Sequence, residues 1–312
     1  MKRFKVIGLV LVMALLFTGC KNIDRSKEQE SEKVQVVTSF YAMKSLVEEI
    51  GGDKVDVVNI IDEGIEPHDF EPKAKDLMAI EKGDLFIYNG ANMEEWIDDV
   101  KDVISSDNVT MVNSSEGIKL ISAIEDDHED EIAEEDAHNH DHDEDPHTWL
   151  GISTAIVQGK NIKDALVLKD PDNSNYYEEN YDKFEKKLNS LLDEYAPLFN
   201  SLENKDFVTG HATFAYLCRD LNLHQESIEG VYAEGEPSAK QLEDLIEKCK
   251  ANKIKVIFVE KLVSPALSET LAREVGGETK LIYTLHSNED NKSFSEVMEY
   301  NVKTIYDTLR DI

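Results

Sequence analysis

Between Ser174 and Tyr195 the side chains Tyr177, Tyr181, Phe184, Leu188, Leu191 and Tyr195 recur at alternating intervals of four and three residues. That spacing lines one face of an α-helix. Over this span the helix is about 33 Å long at 1.5 Å per residue, enough to cross a domain. It divides the chain into two parts with the same pattern.

Upstream, short β-rich runs alternate with helical ones. Val34 to Thr38 predicts a strand, and Met43, Leu46, Val47 and Ile50 predict a helix stopped by Gly51-Gly52. Val55 to Ile61 is a second strand, a helix from Pro72 carries Leu77 and Ile80, and Gly83 closes it. Leu85 to Tyr88, a short helix around Trp96 and a strand at Val109 to Val112 complete the unit. Downstream, strands are expected at Asp206 to Thr209, Val256 to Val259 and Leu281 to Leu285. Helices carry Phe214, Leu217 and Cys218, then Leu242 to Cys249 behind the capping-box spacing of Ser238 to Gln241. Further helices run from Ser264-Pro265 and from about Ser293 to Leu309. Such alternation implies βαβ units. The expected fold is therefore α/β, with two lobes, each a mostly parallel sheet flanked by helices, joined by one long helix. A single stiff connection favours limited lobe movement over wide closure.

The N-terminus reads as a processing segment. Lys2, Arg3 and Lys5 precede an apolar run from Val6 to Phe17, too short for the roughly 20 residues that span a bilayer. Phe17-Thr18-Gly19-Cys20 resembles a bacterial lipobox, which makes Cys20 the expected lipid anchor; two acyl chains hold a domain on a membrane where one does so only marginally. The expected organisation is a signal peptide at 1–20, a tether at 21–33, an N-terminal lobe at 34–172, a linking helix at 173–199 and a C-terminal lobe at 200–312. Within the first lobe, 122–145 is an acidic, histidine-rich loop.

The net charge of −32 opposes nucleic-acid binding, which requires a basic footprint. Part of it is local: 13 of the 21 residues from Glu125 to Asp145 are Asp or Glu. Besides Cys20, Cys218 and Cys249 are too few for a disulfide framework and sit at apolar helical positions, as buried thiols do, although a bridge between them is open in an exported protein.

Placement of the nine histidines carries the functional signal. His211 and His286 follow predicted strands, and the carboxyl ends of strands face the ligand crevice in open α/β sheets. His68 lies past a strand between Pro67 and Pro72, and His147 follows Asp145-Pro146. Two imidazoles from each lobe would suit tetrahedral Zn(II), whereas Mg(II) and Ca(II) prefer oxygen. Strand-end histidines also serve as caps or surface groups, so the pattern alone leaves both readings open. His128, His138, His140 and His142 stand among the loop carboxylates, where they could capture cations loosely as an auxiliary metal loop or belong to a solvated spacer. His224 is expected to face solvent.

Taken in order, Pro67-His68-Asp69-Phe70-Glu71-Pro72, Asp145-Pro146-His147-Thr148-Trp149-Leu150, Gly210-His211-Ala212-Thr213-Phe214, Glu236-Pro237-Ser238 and Val256 to Pro265 resemble the zinc/manganese substrate-binding lipoproteins of bacterial ABC importers, zinc-uptake branch. The resemblance runs from about Val34 to Leu309. It implies two four-stranded lobes, metal ligands at His68, His147 and His211, and a fourth position late in the second lobe that usually holds a carboxylate. Here His286 stands at that place, with water, Glu289 or Asp290 as substitutes. Ile228 lies near the place where manganese-type relatives carry a carboxylate. The implied activity is extracytoplasmic capture of Zn(II) as transported cargo and delivery to an ABC permease driven by a cytoplasmic ATPase. The chain would then be a monomer on the outer face of the cell membrane and no enzyme. Mn(II) cargo is the nearest alternative, followed by an exported zinc hydrolase, against which the lack of HExxH counts, and by an adhesion lipoprotein.

Overall fold

The computed structural model describes residues 33–104, 109–123, 144–232, 237–261 and 265–311. Cys20, His128, His138, His140, His142, Glu236 and Ser264 lie outside them. Among the described residues no helix is long and apolar enough to cross a membrane.

Among the described residues eight strands form two sheets. In the N-terminal sheet are β1 (Val34–Thr38), β2 (Val55–Asn59), β3 (Leu85–Tyr88) and β4 (Thr110–Asn113), ordered β2-β1-β3-β4. In the other are β5 (Asp206–His211), β6 (His224–Glu229), β7 (Val256–Val259) and β8 (Glu278–Leu281), ordered β6-β5-β7-β8. Every pairing is parallel, with Val36 opposite both Val57 and Leu85, and Val208 opposite both Glu226 and Ile257. Each order reverses beside its first strand, which opens a crevice at the strand carboxyl ends.

Helices cover the faces: α1 (Tyr41–Gly51), α2 (Ala74–Lys82), α3 (Ile97–Val103), α4 (Ile152–Lys169), α5 (Ser174–Asn200), α6 (Ala215–Leu221), α7 (Ala239–Ala251), α8 (Pro265–Glu274) and α9 (Phe294–Arg310). α1 stops where Gly52, at φ +52°, turns back and its amide bonds the Glu48 carbonyl. Ser238 and Gln241 form the expected capping box on α7. The linking helix α5 runs five residues beyond Tyr195 and buries Tyr177, Tyr181, Phe184, Leu188 and Leu191. Each such side chain contributes about 1.5–3 kcal/mol of burial. One continuous core joins Val36, Phe86 and Trp149 to Phe184, Phe207 and Phe294, so both sheets share a hydrophobic interior; a smaller cluster around Val208, Ile257 and Leu271 lies in the second lobe.

Three boundaries differ from expectation. β2 ends at Asn59, and the buried Ile60 and Ile61 continue it through amide bonds to the Thr38 and Ser39 carbonyls. α2 starts at Ala74, because the Asp76 carboxylate accepts the Lys73 amide and sets the cap there. β8 occupies Glu278–Leu281, and the expected strand at Leu281 to Leu285 is corrected. Residues 283 and 284 take backbone partners from Asn301 and Trp149 rather than from a neighbouring strand, and Leu285 is left-handed at φ +59°. His286 therefore sits on an irregular segment. β6 was not anticipated at all. Cys218 and Cys249 are free and buried in different clusters, which settles the open bridge against pairing. His224 is exposed, as expected, and its Nδ1 lies 3.0 Å from Asp206 Oδ1.

Candidate metal centre

His147 is fully buried and precedes a one-turn 3₁₀ helix at Thr148–Leu150. Asp145 Oδ1 accepts its backbone amide at 2.8 Å and lies 2.9 Å from its Nδ1. A carboxylate bonded to Nδ1 assigns the proton to that nitrogen and leaves Nε2 as a lone-pair donor. His68 rides on a second 3₁₀ turn, Pro67–Asp69, where the proline at the first position fixes the backbone. Its Nε2 lies 3.2 Å from Nε2 of His147. Two nitrogens at about 2.0–2.1 Å from a tetrahedral Zn(II) stand about 3.3 Å apart, so this pair has the edge length of a zinc tetrahedron. His211 ends β5, and the ligand atoms of His68, His147 and His211 all lie within 4.8 Å of one another. Nε2 of His211 is 2.8 Å from the Val231 carbonyl.

His286 does not join that group of three but stands beside it. Its ring centroid is 5.9 Å from that of Trp149, which is itself 5.2 Å from that of His147. Its Nδ1 is 3.4 Å from Thr284 Oγ1 and 3.9 Å from Glu66 Oε2. Its Nε2 is buried and makes no hydrogen bond among the described residues. A buried nitrogen without a partner costs free energy unless something else accepts its lone pair. Of the two carboxylates considered in its place, Glu289 Oε2 lies 2.6 Å from Lys261 Nζ as an ion pair, and Asp290 accepts the Tyr283 hydroxyl at 2.5 Å.

Burial sets the charge state of the cluster. Desolvation, followed by the neighbouring His211, holds His147 well below the usual imidazole range. Desolvation does the same to His286, helped by His147, His211 and His68. His211 is also lowered by desolvation, against opposing contributions from the Val231 carbonyl and Asp145. These imidazoles are neutral near pH 7, the form that ligates metal. Around them burial pushes Asp145 and Glu66 up to about 7 and Glu260 up to about 8. Such carboxylates favour an incoming cation.

Several neighbours gave no sequence signal of a role here. The Tyr232 ring packs 5.8 Å from His68 while its hydroxyl donates to the Glu144 carbonyl at 2.8 Å. Trp149 Nε1 donates across the lobes to the Thr284 carbonyl at 2.9 Å. The Gly64 amide reaches the His286 carbonyl at 3.3 Å, and the Asn288 amide reaches Glu63 Oε2 at 2.8 Å. The segment bearing His286 is thus wired to the N-terminal lobe.

Comparison with known proteins agrees with this geometry. The chain is 35% identical over 306 residues to a putative metal-binding protein of Treponema pallidum (strain Nichols), covering 98% of this chain and 96% of that one. It is 34% identical over 315 residues to the high-affinity zinc uptake system protein ZnuA of Bacillus subtilis (strain 168), covering 99% and 98%. A Zn(II)-bound AdcAII variant of Streptococcus pneumoniae superposes with a TM-score of 0.76 at 32% identity, over 89% of this chain and 99% of that one. Residues 36–308 match the family model described as zinc-uptake complex component A, periplasmic, and the chain belongs to that ZnuA family.

Proposed function

We propose that the chain captures Zn(II) outside the cytoplasm and delivers it to a membrane ABC permease, with His68, His147, His211 and His286 as the four ligands. The observation that carries this reading is the 3.2 Å separation of the His68 and His147 Nε2 atoms, with His211 beside them and the orphaned Nε2 of His286 alongside. Neutral nitrogen donors suit Zn(II) better than Mn(II), which favours carboxylate and water. Four protein nitrogens also leave no position for an activated water, which supports cargo over hydrolysis and a carrier over an enzyme.

Capture needs little reorganisation. Asp145 presents His147, the Pro67 turn presents His68, and β5 presents His211. Release to the permease requires the His286 segment to part from the N-terminal lobe at the Trp149, Gly64 and Glu63 bonds. Cys20 anchors the monomer to the outer face of the cell membrane, and the acidic loop with His128, His138, His140 and His142 gathers cations near the site without forming it.

Competitive titration of the soluble domain with Zn(II) and Mn(II), alongside the His286→Ala variant, tests this assignment. One tight Zn(II) per chain, outcompeting Mn(II) and weakened at least about tenfold in the variant, is expected. Unchanged zinc affinity in His286→Ala removes that residue from the ligands, and preference for Mn(II) overturns the cargo.

A further inference from the structure

Asn89 lies just past β3, at the carboxyl end of the N-terminal sheet, and is fully buried. Its backbone is pinned on both sides: the amide donates to Glu94 Oε1 at 2.8 Å and the carbonyl accepts the Ser115 amide at 3.0 Å. An asparagine side chain offers two N–H donors and two acceptor lone pairs, and all four are used. Nδ2 donates to the Gly90 carbonyl at 2.8 Å and to the Pro146 carbonyl at 2.9 Å. Oδ1 accepts Thr148 Oγ1 at 3.0 Å and Gln158 Nε2 at 2.9 Å.

Pro146 and Thr148 are the two residues on either side of His147. Asn89 therefore grips the backbone before this histidine and the side chain after it. Gln158 reinforces the grip from α4, donating also to Thr148 Oγ1 at 3.1 Å, and Ser115 Oγ lies 2.8 Å from the same hydroxyl. Thr148 and Gln158 are fully buried, so no water competes for these bonds. Asp145 fixes which nitrogen of His147 carries the proton, and its backbone is held two residues upstream by the Ile121 carbonyl at 2.8 Å and the Tyr216 hydroxyl at 2.6 Å. Asn89 is the buried group that bonds the residues on both sides of His147.

We infer that Asn89 is a positioning residue for the metal centre, setting the location of His147 through the Pro146 carbonyl and the Thr148 hydroxyl. The inference rests on His147 being a zinc ligand. Asn89→Asp preserves shape but replaces the amide nitrogen, with its two donors, by an oxygen that faces two carbonyls, so the segment must shift. Zinc affinity should fall about 10- to 100-fold, the usual effect of removing an outer partner of a metal ligand, while far-ultraviolet circular dichroism is unchanged. The Co(II)-loaded protein should also change its d–d absorption, because an altered ligand geometry moves that band whereas a loss of global stability does not. Thr148→Val removes the hydroxyl link at nearly constant volume and decides the matter where Asn89→Asp fails to fold; it should lower affinity severalfold and shift the same band. Wild-type affinity and spectrum in a folded Asn89→Asp, or in Thr148→Val, overturn the inference. Failure of the parent reading looks different: wild-type protein would bind zinc as tightly with His147→Ala as without it.

Discussion

Asp145→Asn separates what Asp145 does for zinc from what it costs the fold. The carboxylate is 1% exposed, and burial raises its pKa from 3.8 to about 7. The folded state therefore holds the proton to higher pH than the unfolded chain. Between these values the native form binds more protons, so its stability falls as pH rises, and the cost is complete above about pH 7. At about 1.36 kcal/mol per pH unit the gap corresponds to roughly 4 kcal/mol, part of which relaxation and water entry absorb. Asparagine keeps an oxygen for the His147 amide and Nδ1 while carrying no charge. Metal-free Asp145→Asn should gain roughly 1–3 kcal/mol at pH 8, several degrees in Tm, with the gain vanishing below pH 4. Its zinc affinity should fall about 10- to 100-fold because the neutral amide no longer raises the basicity of His147. The stabilisation conferred by saturating zinc then shrinks by about 1.4–2.8 kcal/mol. Scanning calorimetry at pH 4 and pH 8, with and without zinc, reads all of this. A variant less stable than wild type at pH 8, or one that binds zinc unchanged, would refute the reasoning.

Because burial lowers His147, His211 and His286, the unfolded chain takes up protons first, so the metal-free fold should lose stability as pH falls below about 6.5; zinc affinity of the folded protein should hold through that value and weaken only at more acid pH, and a metal-free Tm that does not fall between pH 7.5 and 5 counts against these buried neutral imidazoles. Trp149→Phe keeps an aromatic ring, though a smaller one, but frees the Thr284 carbonyl, and should cost at least about 1–3 kcal/mol in urea unfolding and lower zinc affinity through the His286 segment. Gly90→Ala should destabilise by at least about 1–3 kcal/mol, since φ is +79° and a Cβ would meet Asn113 Oδ1 at 2.0 Å; a wild-type urea midpoint would refute this. Deleting Asp126 to Glu144 should leave one tight zinc per chain and remove only weaker binding, as calorimetric titration would report.

Where burial is periodic, the fold was legible. The stripe from Tyr177 to Leu191 is the buried face of α5, and the all-apolar β3 and the valine-rich β1 are where their composition places them. β6 escaped because it is an edge strand whose only buried residue is Ile228, so His224 to Glu229 shows little apolar alternation. β8 was displaced for a related reason: its own residues are exposed or half exposed, while in the apolar run just after it only Ile282 still bonds β7, and Tyr283 and Thr284 are held by the side chains of Asn301 and Trp149. At the site, His68, His147 and His211 are legible because single histidines after strands or beside prolines stand out. Asn89, Gln158 and Trp149 could not be read the same way. Their roles arise from contacts 57 to 135 residues away in sequence, and nothing local to an asparagine or a tryptophan announces such a partner.

X-ray absorption at the zinc K-edge of the loaded soluble domain tests the ligand set most directly, read for wild type and His286→Ala. Four imidazole nitrogens at about 2.0–2.1 Å, falling to three with an added oxygen in the variant, are expected. An oxygen already present in the wild-type shell, or a shell unchanged by the substitution, would contradict the four-histidine centre and move the fourth position to Glu289 or water.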